Sequence, residues 1–260
     1  WNREIERKYK MIKLINDDCL KAMKDMPDES IDCVVTDCPY RIINGGNSNK
    51  NDEPGGIFNK RVYEKGDDGK TYLKGTKHVS LNGIFNDNNL YVRQGKLFKY
   101  NDIKFSEWLP ELYRICKPKS HIYIYISARN LKELQNEAEK VGFKFQNIII
   151  WKKNNSTPNK YYLNSYEMIL MLRKGKAKNI NRMGTKNILE IKNIIGNKTH
   201  PTEKPVELNK ILIENSTNEN EIVFDPFMGT GSCGIACKEL NRNFIGIELD
   251  EKYFKIAKDR

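Results

Sequence analysis

Two short stretches of this 260-residue sequence carry residue types that could do chemistry. The first is TDCPYRI, Thr36 to Ile42, where an acid, a thiol, a proline and a phenol follow the apolar run Ile31 to Val35. A strand should end there, at the lip of a sheet. The second is FDPFMGTGSCG, Phe224 to Gly234, a G-x-G-x-x-G pattern between an expected strand and an expected helix. Gly229 and Gly231 let the chain turn sharply and let a ligand approach the backbone, while Glu248, closing the next strand, can accept both hydroxyls of a ribose. That is the chemistry of a nucleoside site. Asp225, beside the turn, would repel a pyrophosphate but could hold a cationic, amine-bearing ligand. A turn that merely needs small residues is the bland alternative. A nicotinamide dinucleotide site is another, disfavoured because only a short tail of chain follows the unit.

The elements that must position these residues alternate. Met11 to Ile15 reads as a strand, Cys19 to Met26 as a short helix and Ile31 to Thr36 as a second strand. A helix follows near Asp102 to Cys116, then a strand at His121 to Ile126. Leu131, Leu134, Ala138 and Val141 mark an amphipathic helix that Gly142 stops. Phe145 to Trp151 and Tyr166 to Leu172 read as strands joined by the polar KKNNSTPNKYYLNS. The last third gives a helix after Pro205 with Leu208, Ile211 and Leu212 inward, strands at Ile222 to Phe224 and Phe244 to Ile247, and helices at Ser232 to Leu240 and from Asp250. Such alternation predicts a doubly wound α/β fold with a mostly parallel sheet. Two basic, irregular stretches, residues 41–101 and 173–198, interrupt it. Each is a candidate for contact with a polyanion, with a solvated loop as the alternative.

Lysine and arginine total 45 against 34 acids, a formal charge of +11, which favours encounter with nucleic acid. No window is apolar enough to span a membrane and the N-terminus lacks a signal-peptide core, so a soluble, cytoplasmic protein is expected. The chain begins with Trp, which suggests that its natural start is missing. Cys19, Cys33, Cys38, Cys116, Cys233 and Cys237 lie in apolar or periodic segments without metal-ligand spacing. They are expected to be reduced core residues, with no metal.

FDPFMGTGS together with FIGIELD resembles the S-adenosylmethionine-binding motifs I and II of DNA amino-methyltransferases, and HPTEKPVEL (His200 to Leu208) resembles their motif X. Asp37-Cys38-Pro39-Tyr40 is similar to their catalytic motif IV, and the order, catalytic motif first, is that of the β-group. Asn16 to Cys19 resembles the family's opening segment, and IIIWKKNN (Ile148 to Asn155) and SYEMILMLRKG (Ser165 to Gly175) resemble the strands around motif VIII. The resemblance implies one methyltransferase domain over residues 1–260, with a circularly permuted motif order in which the strand at Met11 to Ile15, with no preceding partner, and the helix ending at Arg260, with no following strand, come side by side to complete one sheet. Residues 41–101 and 173–198 then become candidates for target recognition.

The same resemblance implies S-adenosylmethionine as cofactor, held by Asp18, Asp37, Thr202, Lys204, Asp225, Phe227, Gly229, Gly231, Ser232, Glu248 and Asp250. It implies methylation of the N6 amine of an adenine flipped out of double-stranded DNA. Asp37 and the Cys38 carbonyl would each accept an amine hydrogen, Pro39 would fix the backbone direction, and Tyr40 would stack on the base. Cys38 departs from the proline usual in the family, keeping the carbonyl but losing a rigid φ. Cytosine-N4 or RNA amino-methylation, and a catalytically weak DNA-binding module on the same fold, are the alternatives. A homodimer and a restriction endonuclease partner, in a bacterial or phage setting, are compatible with the family.

Overall fold

The computed structural model describes residues 11–39, 103–157, 162–194 and 203–260, together with two short strands at 63–65 and 71–73. Two compact units group the chain: residues 1–39, 103–157 and 164–260 in one, and 40–102 with 158–163 in the other. In the second unit, β3 (Tyr63–Lys65) and β4 (Thr71–Leu73) form an antiparallel pair.

The first unit is built on an eight-stranded sheet. Its strands are β1 (Ile12–Ile15), β2 (Ile31–Asp37), β5 (Cys116–Ile126), β6 (Phe143–Thr157), β7 (Asn164–Lys174), β8 (Ile188–Glu190), β9 (Ile222–Asp225) and β10 (Asn243–Ile247). Their order across the sheet is β1-β10-β9-β2-β5-β7-β6-β8. From β1 to β5 all neighbours are parallel, and β7 runs antiparallel to both β5 and β6. β1 pairs with β10 in register Ile15↔Ile247, so the first and last of the described strands lie side by side and the two ends of the chain complete one sheet, as the motif order implied.

The central strands are apolar at nearly every position because both faces are covered. On one face Cys33, Val35, Tyr123 and Tyr125 form a core with Leu208 and Leu212 of α4 (Val206–Ser216) and with Cys233, Ala236 and Cys237 of α5 (Ser232–Glu239). Strand side chains alternate, so Val34, Ile122 and Ile124 point the other way. There α1 (Cys19–Lys24), α2 (Phe105–Ile115) and α3 (Ala128–Lys140) pack on one another. Phe105, Trp108, Leu109, Leu112 and Ile115 make the buried stripe of α2, and Leu134 and Ala138 that of α3. The last helix, α6 (Glu251–Asp259), brings Ala257 into the first core. All six cysteines are free and buried, as expected of core residues.

Four strands of this sheet differ from the sequence reading. β5 begins five residues earlier than expected, and β6 and β7 extend through most of the polar segment that joins them. Cross-strand backbone bonding, seen in Lys152↔Tyr166 and Thr157↔Asn164, carries these ends, and it needs no apolar side chains. Within 173–198, the residues Ile188–Glu190 form β8, paired parallel with β6.

The topology also separates the two halves of that segment. Arg173 lies opposite His121, four residues before Tyr125, which is itself opposite Asp37. At 3.3 Å per residue, the chain after Lys174 is therefore roughly 20 Å along the sheet from Asp37. The chain is still at that far end at Asn181, which is hydrogen-bonded to the carbonyls of Glu214, Asn215 and Thr217. It has returned to the Asp37 level by β8, where Ile188 pairs with Ile150, and beyond β8 Asn193 bonds the side chains of Asn154 and Asn155.

Candidate active site

The strand order reverses between β9 and β2: the chain moves outward from β9 to β10 on one side and from β2 to β5 on the other. In open α/β sheets, ligands bind at such a switch point, outside the carboxyl ends of the strands. Asp37 ends β2 and Asp225 ends β9 at this crevice. Thr36 Oγ1 donates to Asp225 Oδ1 at 2.7 Å, and the Phe227 N–H donates to the same oxygen at 3.0 Å. Burial still dominates and pushes the Asp225 carboxyl up to about 7, against the pull of those two donors.

After Asp225 the chain makes the glycine turn. Gly229 has φ +53° and Gly231 φ +83°, both in the left-handed region that glycine enters without a Cβ clash. A Cβ on Gly229 would meet nothing among the described residues within 4 Å, so its backbone faces open space. Gly231 is the N-cap of α5, and Ser232, its first residue, is buried with Oγ at 3.4 Å from Glu203 Oε1. Phe227 packs edge-on against Trp108, ring centroids 5.3 Å apart.

Glu248 follows β10 directly. Its Oε2 accepts the Gly229 N–H at 2.9 Å and its Oε1 the Asp250 N–H at 2.8 Å, which locks the carboxylate against the turn with acceptor capacity to spare. Burial raises its pKa, opposed by those N–H donors. Asn16 ties the neighbouring strand end to the Glu248 carbonyl at 2.8 Å. Asp18, two residues on, caps α1 by accepting the Leu20 N–H at 2.7 Å, and Asp250 caps α6 by accepting from Lys252 and Tyr253. Both acids thus have a local structural task at the crevice rim.

At Asp37 the structure joins two residues that sequence reasoning had placed in separate motifs. Lys204 Nζ lies 2.6 Å from Asp37 Oδ2 and 3.3 Å from Glu167 Oε2. Glu167, on β7, shares its other oxygen with Lys153 of β6. Lys204 also sits over the Tyr125 ring, 5.3 Å from its centroid, and the Tyr125 hydroxyl donates to Asn209. Burial raises the Asp37 pKa, Lys204 works against it, and the Glu167 charge adds to it. Cys38 is buried, and burial beside Asp37 pushes its thiol far up, so the sulfur stays a neutral thiol.

Asp37, Lys204 and the Asp225, Gly229 and Glu248 set are thus brought to one crevice, with Asp18 and Asp250 at its edge. Tyr40 and Thr202 lie outside the described residues. Sequence reasoning missed Thr36, Lys153, Glu167 and Glu203. Glu203 accepts from Arg260 at 2.7 Å, tying the segment before α4 to the chain's last residue. The polar and charged residues inside otherwise apolar strands, Thr36 and Glu167, were the available signal.

A family model described as DNA methylase, of the N6/N4 methyltransferase type, matches residues 31–259. A type II methyltransferase, M2.DpnII of Streptococcus pneumoniae, is 31% identical over 272 residues, covering 97% of this chain and 90% of that protein. The crystal structure of an M1.HpyAVI–SAM complex superposes with a TM-score of 0.64 at 26% identity, over 96% of this chain and 100% of that one. PvuII DNA methyltransferase, described as cytosine-N4-specific, shares the fold with a TM-score of 0.63 at 15% identity, over 96% of this chain and 86% of that one.

Proposed function

Because the chain belongs to the N6/N4 DNA methylase family, we propose that it transfers a methyl group from S-adenosylmethionine to the N6 amine of adenine in double-stranded DNA. The observation that carries the reading is the juxtaposition of Asp37 with the Asp225–Glu248 crevice at the switch point. The crevice suits this cofactor chemically. Asp225 and Glu248 offer two carboxylates to a ligand bearing an ammonium and a ribose diol, and the open backbone at Gly229 lets it approach closely. Phe227 offers an apolar ring beside them. When bound, S-adenosylmethionine supplies a methyl group activated on a sulfonium.

The chain's own groups prepare the amine. The lone pair of an exocyclic adenine amine is delocalised into the ring, so the nitrogen is a poor nucleophile. Asp37 Oδ1 receives no hydrogen bond among the described residues, because Lys204 sits on Oδ2. Oδ1 and the Cys38 carbonyl accept one amine hydrogen each, which turns the nitrogen toward tetrahedral geometry. Acceptors fixed in advance where positive charge develops lower the barrier without reorganisation. The inert Cys38 thiol takes no part, so replacing the usual proline leaves the acceptor set whole.

Cytosine-N4 transfer would use the same acceptors, and the fold serves an enzyme described as cytosine-N4-specific. Incubation with labelled cofactor and duplex DNA, followed by digestion to nucleosides, separates the two. N6-methyladenine is the expected product; N4-methylcytosine would replace the adenine reading. A restriction endonuclease of matching specificity is the partner this reading implies.

A further inference from the structure

Asp37 has two chemically equivalent oxygens, and a lysine is a compact charge on a flexible stem that goes where its anions hold it. Left with Asp37 alone, the Lys204 ammonium could straddle Oδ1 and Oδ2 and compete with the amine. It is instead held between two carboxylates, 2.6 Å from Asp37 Oδ2 and 3.3 Å from Glu167 Oε2. Glu167 is itself anchored on its far oxygen by Lys153, whose ammonium rests 4.9 Å from the Trp151 ring centroid. Four charges from β2, the segment before α4, β7 and β6 therefore alternate in sign from one contact to the next. We propose that Glu167 is a positioning residue for methyl transfer: by sharing Lys204 with Asp37, it keeps the ammonium on Oδ2 and leaves Oδ1 to the amine.

The inference rests on the reading of Asp37 as the amine acceptor and adds a consequence to it. Among the described residues, the charged and titratable groups facing Asp37 are Lys204 before α4, Glu167 on β7, Lys153 on β6, Asp225 on β9 and, uncharged, the Tyr125 hydroxyl on β5 and the Cys38 thiol. Lys204 draws electron density from Asp37, and Glu167 restores part of it. Removing the Glu167 charge should make Asp37 ionise at lower pH yet accept the amine hydrogen more weakly. Removing the Lys153 charge should do the reverse to its ionisation, since Glu167 is then unopposed.

The test is single-turnover methylation of duplex DNA at saturating cofactor, followed from pH 5 to 9 for the wild type, Glu167→Gln, Glu167→Asp, Lys153→Gln and Asp37→Asn. Glu167→Gln is expected to lower the plateau rate by roughly tenfold, about one weakened charge-assisted hydrogen bond. It is also expected to move the acid limb down by on the order of half to one pH unit, whereas Lys153→Gln moves it up by a similar amount. Glu167→Asp should recover part of the rate. A structural role alone would lower rates without moving either limb. Unmoved limbs, or shifts in the same direction, overturn the proposal. Lys153→Gln decides the matter if Glu167→Gln fails to fold. Asp37→Asn separates the two levels: if it methylates at the wild-type rate the amine-acceptor reading itself fails, and if it is inactive while the other limbs stay put, only the positioning role fails.

Discussion

Thr36 and Asp225 are joined by a 2.7 Å hydrogen bond across adjacent parallel strands, one residue before Asp37 on β2 and at the very end of β9. The bond couples the strand that carries the amine acceptor to the strand that opens the cofactor turn. Thr36 is only 1% exposed, so no water replaces its hydroxyl if it is lost. Thr36→Val is therefore expected to destabilise the protein by about 1.5–3 kcal/mol at pH 8, where Asp225 is charged. The loss should shrink at pH 5.5, where that carboxyl is protonated. Urea unfolding at the two pH values measures the difference.

Asp225 gives a second expectation, in which the sign matters. Its folded pKa, about 7, lies above the ordinary value of 3.8. Its contribution to stability is therefore fully present below the unfolded value and is lost as pH rises through 7. Without cofactor, the protein should become less stable between pH 5 and 8. A cationic ligand reverses this, because the ionised carboxylate attracts it. S-adenosylmethionine affinity should rise from pH 6 to pH 8, by at most about tenfold per unit. Calorimetric titration should find Asp225→Asn weaker at pH 8 and nearly flat with pH.

The placement of the basic segments makes a third. Lys152 lies on the part of β6 beyond Trp151, at the Asp37 end of the sheet, and Lys192 follows β8 toward the same end. Lys176, just past the end of β7, is exposed at the opposite end. If DNA presents its base at Asp37, Lys152→Ala and Lys192→Ala should each weaken binding and reduce the slope of log K against log salt by about one. Lys176→Ala should leave that slope unchanged. Fluorescence anisotropy across a salt series distinguishes Lys176 from the other two.

The sheet and its crevice were legible because periodicity and order are local. The apolar runs of β2 and β5, the stripe of α5 and the glycine turn each announce themselves within a dozen residues. The motif order then set β1 beside β10. What the sequence hid was pairing between distant residues. Glu167 reads as one acid in an apolar strand until β7 packs beside β5 and carries it to Lys204, and Thr36 reads as an ordinary strand residue until β9 lies next to β2. The irregular basic run at 173–198 likewise concealed a turn of direction. β8 is three residues long, too short for a periodic signal, yet it fixes the end of a run that starts at the far end of the sheet and returns to the Asp37 level.

The central claim is that the Asp37 carboxylate accepts the hydrogen of the amine that is methylated. Its most direct test is single-turnover transfer of labelled methyl groups to duplex DNA by Asp37→Ala, with cofactor binding measured on the same preparation. The account predicts a loss of transfer of at least a hundredfold, the scale on which one preorganised polar contact is removed, while S-adenosylmethionine still binds through Asp225, Glu248 and the glycine turn. Transfer within a few-fold of the wild type by a variant that binds cofactor normally would contradict it.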